Sequence, residues 1–472
     1  MAKEINVREL VLESLTEIDR GERSASQSME ETLRQYQYLS KQERSFYTRL
    51  CQGTIEYRLQ LDYLIDQVSN TPVKRCKPYI RNILRMSLYQ IRFMDGVPEA
   101  AVCNEAVKLA EKKGFRSLKG FVNGVLRNLI RQQDTLTLPD RETDMSLYLS
   151  IVYSMPEWLV QELIEWYGSE LTEGMLEAFL QDSPLTVRIN QLRTSKEEVI
   201  KLLESEEIQV EEGYYAENAL RLSGINYVNR IKPFRQGLIT IQDESSILQG
   251  YLIYLFPGAQ VLDLCAAPGG KTLHAAERLL VVENQSQKQG EDIQPGRVIS
   301  RDISDHKLIR IQENAERMGY SNVQIEKWDA RQPEEKLFQA MDLVIADLPC
   351  SGLGVIGRKP DIKYRLTKEQ FEELVELQRE ILKTAGQYVK PGGRLIYSTC
   401  TINPKENQEQ VAWIQEHLPL ESVPLQAELP ETLVSQLAGQ PGTDLEEGYC
   451  TLIPGKQHCD GFFMAVFQRK VE

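Results

Sequence analysis

Apolar residues recur every three or four positions through the first part of the chain. Val7-x-x-Leu10-Val11-x-x-x-Leu15 and Ile80-x-x-Ile83-Leu84-x-x-Ser87-Leu88-x-x-Ile91 each line up on one stripe of a helix with 3.6 residues per turn. Residues 4 to about 132 therefore read as an all-α bundle, closed by the polar run 132–140, which has the composition of a linker. Between about 142 and 235 the texture is mixed. Helical patterns over 156–166 and 171–180 precede a strand-like Leu185-Thr-Val-Arg-Ile-Asn190, a helix near 196–205 and further short strands, which predicts a small α+β domain. Beyond residue 237 strands alternate with helices, as in a parallel sheet covered on both faces. The predicted strands are 260–264, 297–302, 323–328, 342–347 and 394–399; two polar, acidic stretches, 283–295 and 425–448, read as surface insertions. The expected organisation is a multi-domain chain: a helical bundle over 1–135, a small α+β domain over 142–236 and a C-terminal α/β domain over 237–472.

Length and composition agree with several folded domains, since 472 residues exceed what one core covers and 42% hydrophobic with 26% charged residues is globular usage. No apolar run approaches the length of a membrane span, and the N-terminus lacks the apolar stretch of a signal peptide. A cytoplasmic protein with no membrane partner is expected. The eight cysteines form no Cys-x-x-Cys pair and only four histidines accompany them, so neither a zinc site nor a disulfide framework is expected, and no metal is assigned. Charge changes the picture locally. The net charge of −14 argues against a polyanionic partner, yet residues 71–131 hold thirteen Lys and Arg against four acids. Such a basic segment in an acidic chain suggests a nucleic-acid footprint on the bundle, with a solvated helical surface as the plain alternative.

The first strand of the α/β region runs into Asp263-Leu-Cys-Ala-Ala-Pro-Gly-Gly-Lys-Thr272. Glycines between a strand and a helix admit close approach of a ligand to backbone, and the helix N-terminus offers unpaired N–H groups, so a nucleotide-type cofactor is expected there. A phosphate-binding P-loop is disfavoured because Cys265 stands where its first glycine belongs, and the Gly-x-Gly-x-x-Gly fingerprint is absent. A merely structural Pro-Gly turn remains until the other strands are considered. Asp263, Asp302, Asp329 and Asp347 all fall at or just beyond strand ends, where ligands bind in open α/β sheets. Asp302 suits ribose hydroxyls and Asp329 an adenine amino group.

Asp347-Leu-Pro-Cys350-Ser and Tyr397-Ser-Thr-Cys400-Thr end the fourth and fifth of these strands. If the two strands are neighbours, about 4.8 Å apart, both thiols flank one crevice. A methyl donor beside two thiols suggests cytosine chemistry, because carbon 5 of cytosine is too weak a nucleophile unaided. A thiolate adding to carbon 6 makes an enamine that can accept the methyl group; a second acid/base group assists release, and Asp347 is placed to hydrogen-bond the base. Either cysteine alone could equally be a small core residue.

Together, Asp263-Leu-Cys-Ala-Ala-Pro-Gly-Gly-Lys-Thr272, Asp347-Leu-Pro-Cys-Ser-Gly-Leu-Gly-Val-Ile356, Lys359-Pro-Asp-Ile-Lys363 and Ser398-Thr-Cys-Thr-Ile-Asn-Pro-Lys-Glu-Asn407 resemble the RNA 5-methylcytosine methyltransferases. Asp460-Gly-Phe-Phe-Met-Ala-Val-Phe467 looks like that family's terminal strand, Gln242-Asp-Glu-Ser-Ser246 like its opening motif, and Arg188-Ile-Asn190 like its small RRM-like RNA-binding domain. Ile83-Leu-Arg-Met-Ser-Leu-Tyr-Gln-Ile91 and Phe121-Val-Asn-Gly-Val-Leu-Arg-Asn128 are similar to the NusB antitermination fold. The resemblance covers nearly the whole chain. It implies a NusB-like all-α N-terminal bundle, a small α+β domain and a Rossmann-like, S-adenosylmethionine-dependent methyltransferase domain. It implies further that carbon 5 of one cytosine in small-subunit (16S) ribosomal RNA is methylated through a covalent adduct, with Cys400 as nucleophile and Cys350 aiding release. The implied cofactor contacts are Cys265, Ala266, Ala267, Pro268, Gly269, Gly270, Lys271, Asp302, Asp329 and Asp347. Leu348 stands where the family usually has Ala, a bulk expected to narrow the pocket. A monomer is expected. The competing class is an RNA-binding assembly factor without catalysis, motivated by the basic bundle; the intact thiols and Pro-Gly-Gly turn speak against it.

Overall fold

The computed structural model describes residues 6–225 and 227–471; residues 1–5, which include the start of the first expected helix and of the N-terminal stretch that lacks a signal peptide's pattern, lie outside the described residues. Contacts divide the chain into two compact units, Met1–Gln181 with Ile356–Arg365, and Asp182–Val355 with Leu366–Glu472.

The first unit is built from α1 (Val7–Asp19), α2 (Ala25–Gln35), α3 (Lys41–Glu56), α4 (Arg58–Val68), α5 (Pro78–Phe93), α6 (Glu99–Lys112), α7 (Lys119–Arg131), α8 (Met145–Val152) and α9 (Glu157–Ala178). Local sequence sets the helix starts. Ser24 with Gln27 and Ser40 with Glu43 form reciprocal capping boxes, and Pro78 opens α5, where its missing N–H is not needed. Helix α5 is central: it packs on α1, α3, α4, α6 and α7 and buries Ile80, Ile83, Leu84 and Leu88. Helix α9 bends at Gly168, whose φ of 77° only glycine adopts readily, which accounts for the interrupted apolar pattern. Helices α8 and α9, grouped by their sequence with the small α+β domain, fall in this unit, α8 packing on α4.

The basic segment is partly neutralised, by acids that the fold brings to it and by acids within it. Arg81 and Arg85 pair with Asp19, Arg85 also with Asp62, and Lys112 and Lys113 with Glu9. Lys108 pairs with Glu105, and Arg116 and Lys119 with Glu111. Arg75, Lys77, Arg92, Arg127 and Arg131 are exposed and form no ion pair among the described residues. A window over 71–131 misses Glu9, Asp19 and Asp62, and so overstates the available charge.

The second unit opens with β1 (Leu185–Ile189), α10 (Lys196–Glu204), β2 (Gln209–Glu212), β3 (Ala219–Ser223), α11 (Lys232–Arg235) and β4 (Ile239–Ile241). The strands form an antiparallel sheet in the order β2-β3-β1-β4, with Val187, Ile189, Val199, Leu203 and Leu220 in its core. Arg188 and Asn190 are fully buried. Arg188 donates to Glu277 (2.7 Å) and Gln242 (2.9 Å), and Asn190 donates to the carbonyls of Gly237 (2.9 Å) and Met318 (3.1 Å). These two residues fasten the small sheet to the larger one and are not available to a ligand.

After α12 (Glu244–Gln249) come β5 (Gln260–Asp263), α13 (Gly270–Lys288), β6 (Arg297–Asp302), α14 (Asp305–Met318), β7 (Val323–Lys327) and β8 (Met341–Asp347). The chain continues through α15 (Ile362–Arg365), α16 (Lys368–Tyr388), β9 (Val389–Thr399), α17 (Gln408–His417), β10 (Leu420–Ser422), α18 (Glu431–Leu437), β11 (Tyr449–Leu452) and β12 (Phe462–Arg469). Their sheet runs β10-β12-β9-β8-β5-β6-β7, with β11 also paired to β12. Strands β5 to β9 are mutually parallel and β12 is antiparallel on β9. The chain adds β6 and β7 on one side of β5 and then β8 and β9 on the other, so the switch point, where such sheets bind ligands, lies between β5 and β8.

The structure corrects three expectations here. Leu425, Leu429, Leu433 and Leu437 are buried in the main core beneath the sheet, so 425–448 is no surface insertion; the apolar positions repeat every four residues inside an otherwise polar stretch. The first half of 283–295 continues α13 to Lys288, and the buried Glu283 carboxylate accepts the N–H of Gly258 at 3.2 Å. Leu348 is buried among Val344, Leu382 and Tyr397, so its bulk fills core space and leaves the crevice unaffected.

Among the described residues no helix is long and apolar enough to cross a membrane, and no cluster of three His, Cys, Asp or Glu could hold a metal.

Candidate active site

The turn after β5 is held by its own backbone. Ala266 N–H donates to Arg301 O (2.8 Å), Gly269 N–H to Ala266 O (2.7 Å) and Leu273 N–H to Gly269 O (2.8 Å), while Gly269 takes φ 106° at the start of α13. Cys265, Ala266, Ala267, Pro268, Gly269, Gly270 and Lys271 thus line one turn at the N-terminus of a helix, where unpaired N–H groups face outward. Cys265 itself is an inert thiol: burial and the neighbouring Asp263, Asp302 and Asp347 all push its pKa up. Three strand-end carboxylates therefore gather around one side chain.

The four aspartates play different parts. Asp263 is fully buried and accepts from Thr272 Oγ1 (2.6 Å), with burial pushing its pKa up to about 7, so it braces α13 against β5 from below the crevice. Asp302 accepts from the N–H of Ser304 (3.2 Å) and lies 3.5 Å from Lys307, next to Ile303, an exposed apolar side chain. Asp329 is held by Arg331, whose Nη2 lies at 2.7 Å. Asp347 accepts from Lys271 Nζ (2.6 Å) and Ser398 Oγ (2.8 Å). Burial works against the Lys271 charge, but Asp347 and the Cys400 sulfur outweigh it and raise the ammonium's pKa.

These residues suit S-adenosylmethionine. The buried strand-end carboxylate at Asp302, with one backbone N–H at 3.2 Å and Lys307 at 3.5 Å, keeps acceptor capacity for ribose hydroxyls, Ile303 offers an apolar face for a base, and the glycine turn leaves room for backbone contact.

Strands β8 and β9 are neighbours in register, Asp347 opposite Ser398. Their ends carry Cys350 and Cys400, whose sulfurs lie 3.3 Å apart. The loop bearing Cys350 is locked. Gly354 N–H donates to Cys400 O (3.0 Å) and Gly354 O accepts from Gly461 N–H (2.9 Å); a Cβ at Gly354 would fall 2.0 Å from Gly461 O, so only glycine fits. Beneath the loop the buried Glu406 carboxylate accepts from Ser351 N–H (2.9 Å), Asn403 Nδ2 (2.9 Å) and Gln378 Nε2 (2.9 Å), and Ser351 Oγ meets Thr401 Oγ1 at 2.7 Å. Burial raises the pKa of Glu406. The sequence shows this glutamate within a motif but gives no sign of its role, because its partners other than Asn403 come from α16 and from the loop after β8.

The two sulfurs sit in different fields. Cys350 is driven well up in pKa by its hydrogen bond with Cys400, by burial and by Glu406, which keeps it a thiol. Cys400 is the sulfur that interacts with the Lys271 ammonium. The Lys359-Pro-Asp-Ile-Lys363 motif does not join this group: it belongs to the segment Ile356–Arg365, which packs within the helical unit, where Lys363 Nζ donates to Glu56 O (2.9 Å).

Comparison with known proteins bears on the family and the fold. Residues 251–468 match the family described as 16S rRNA methyltransferase RsmB/F, residues 5–131 the NusB family, and residues 155–229 the ferredoxin-like domain of RsmF/B-like methyltransferases. The probable ribosomal RNA small subunit methyltransferase B of Bacillus subtilis (strain 168) is 34% identical over 99% of this chain and 100% of its own. The ribosomal RNA small subunit methyltransferase B of Proteus mirabilis (strain HI4320) is 35% identical over 79% of this chain and 83% of its own. Among solved structures, PH0851 superposes on 99% of this chain and 100% of its own with a TM-score of 0.78 at 24% identity, a likeness of fold.

Proposed function

The chain belongs to the RsmB/F family of S-adenosylmethionine-dependent rRNA methyltransferases, and from that premise we propose that it methylates carbon 5 of a cytosine in small-subunit ribosomal RNA, in the cytoplasm, with Cys400 as the covalent nucleophile. The observation that carries the reading is the pair of sulfurs 3.3 Å apart in opposite fields, Cys400 toward Lys271 and Cys350 toward Glu406. A cation near a thiol favours its thiolate, and a carboxylate near a thiol disfavours it.

The chain's residues divide the work accordingly. Cys400 adds as thiolate to carbon 6, forming a C–S bond while the carbon 5–carbon 6 electrons move into the ring. Asp347, an acceptor anchored by Lys271 and Ser398, hydrogen-bonds the donor edge of the base and fixes its orientation. The turn 265–271 with Asp302 and Asp329 would hold S-adenosylmethionine, which when bound would supply an electrophilic methyl group to carbon 5 and leave as S-adenosylhomocysteine once its S–CH3 bond breaks. Carbon 5 then loses its proton to water, the C–S bond breaks, and Cys400 leaves as thiolate, stabilised by a hydrogen bond from the Cys350 thiol.

Ribosomal RNA carrying tritium at carbon 5 of cytosine tests the chemistry. The reading predicts tritium release into water in step with methyl incorporation. Methyl incorporation without release would place the methyl group elsewhere on the RNA and overturn it.

A further inference from the structure

The helical unit contains a cavity of about 300 Å³ that none of the preceding chemistry uses. That volume reaches the lower bound of small-ligand pockets. Its walls come from the end of α1, the start of α4, the middle of α5 and the strap Ile356–Arg365, and they present Arg20, Arg58, Arg85 and Arg365 against Asp19 and Asp361. The carboxylates are already occupied. Asp19 is shared among Arg58 (3.5 Å), Arg81 (2.9 Å) and Arg85 (3.1 Å), Asp361 accepts from the N–H of Ala25 (3.1 Å) and pairs with Arg365 (3.5 Å), and outside the cavity lining Glu22 pairs with Arg20 (3.6 Å) and Asp62 with Arg85 (2.6 Å).

The donors left in excess are those of Arg58 and Asn82. Arg58 makes no hydrogen bond among the described residues; its guanidinium has the long pair to Asp19 and lies 4.8 Å over the Tyr364 ring. Asn82, fully buried on α5, uses its oxygen to accept from Arg85 Nη1 (3.2 Å) and leaves Nδ2 without a partner. Burial and the neighbouring Arg85 depress the pKa of Arg58, the response of a cation short of negative charge. Water would supply acceptors to such a cavity but no charge, whereas a phosphate group supplies both.

We propose that this cavity is a phosphate subsite that takes one phosphodiester group of the RNA substrate. The assignment rests on RNA being the substrate. It also gives the strap a role, since only the five residues 351–355 separate Cys350 from Ile356 and RNA held here is tied to the segment that leads out of the catalytic loop.

The test uses the full chain and the double variant Arg20→Ala/Arg365→Ala. Both side chains are about half exposed, at 49% and 59%, so the fold should survive their loss; Arg58→Gln is the second variant. Two probes are applied: inorganic phosphate against chloride at matched ionic strength, read as a rise in melting temperature, and an unmodified 16S rRNA transcript, read as Kd against salt. The expected result is a phosphate-specific rise in the wild type that both variants lose. RNA affinity should fall about tenfold, and the log–log salt slope should drop by roughly 0.7–0.9 for one lost phosphate contact. Methyl transfer at saturating RNA should be unchanged. An unaltered RNA affinity and slope would overturn the proposal, and a phosphate effect without an RNA effect would reassign the cavity to free phosphate and equally overturn it. If the wild type binds RNA with these slopes yet transfers no methyl group, the proposed function fails while the subsite stands.

Discussion

Replacing Lys363 with Met should change how stability depends on pH, because its ammonium is nearly dry. Burial lowers the Lys363 pKa from its ordinary 10.5 to about 7, with Glu56 O as its hydrogen-bond acceptor. That difference corresponds to about 5 kcal/mol of preference for the neutral amine in the folded chain. Below pH 7 the folded and unfolded chains both carry the proton, so the group adds no slope. Between pH 7 and 10.5 the unfolded chain binds the proton and the folded chain does not, so stability rises by up to about 1.4 kcal/mol per pH unit. Lys363→Met removes this rise. It leaves the Glu56 carbonyl with the Tyr364 hydroxyl as a donor at 3.3 Å, so no acceptor is orphaned. Calorimetric melts of the full chain from pH 6 to 9.5 check the prediction: the variant should be the more stable protein at pH 6, and the gap should shrink by about 3 kcal/mol by pH 9.5. Parallel curves for the two proteins would show that Lys363 stays charged where it lies and would refute the reasoning.

Other parts of the structure give sharper handles on the site. Asp302→Ala should weaken S-adenosylhomocysteine binding by roughly 10- to 100-fold, the loss of charged hydrogen bonds worth about 1.5–3 kcal/mol, as read by calorimetric titration; unchanged affinity would remove Asp302 from the cofactor site. Glu406→Gln removes the carboxylate beside Cys350, so alkylation of Cys350 in a Cys400→Ser background should shift to lower pH, and an unshifted profile would argue against that field. Leu433→Ala should cost about 2–5 kcal/mol because the residue is fully buried in the main core, and a thermal melt near the wild type would return 425–448 to the surface.

What the sequence makes legible follows from how local each signal is. Strand ends bearing Asp302, Asp347, Cys350 and Cys400 stand out because alternation and turn residues are encoded within a few positions, and pairing of β8 with β9 then brings the sulfurs together. Features made by distant partners are hidden. Asp263 looks like its three counterparts until the depth of β5 is known, and Glu406 matters through Ser351 and Gln378. The charge of 71–131 is offset by Glu9, Asp19 and Asp62, all from outside that window. Lys363 sits in a motif of the same family resemblance as the two thiols, yet its segment folds into the helical unit. Leu425 to Leu437 are obscured by the polar residues between them, since only Leu433 and Leu437 lie in a helix and a four-residue repeat this short is weak against an acidic background.

The proposed chemistry requires that Cys400, and not its neighbour 3.3 Å away, bonds the base. Incubating Cys350→Ser and Cys400→Ser proteins with small-subunit RNA and S-adenosylmethionine, then sequencing the protein–RNA conjugate by mass spectrometry, tests it directly. The expected result is a conjugate in the Cys350→Ser protein with the nucleotide on Cys400, and none in the Cys400→Ser protein. A nucleotide on Cys350, or a conjugate that accumulates only when Cys400 is replaced, would contradict it.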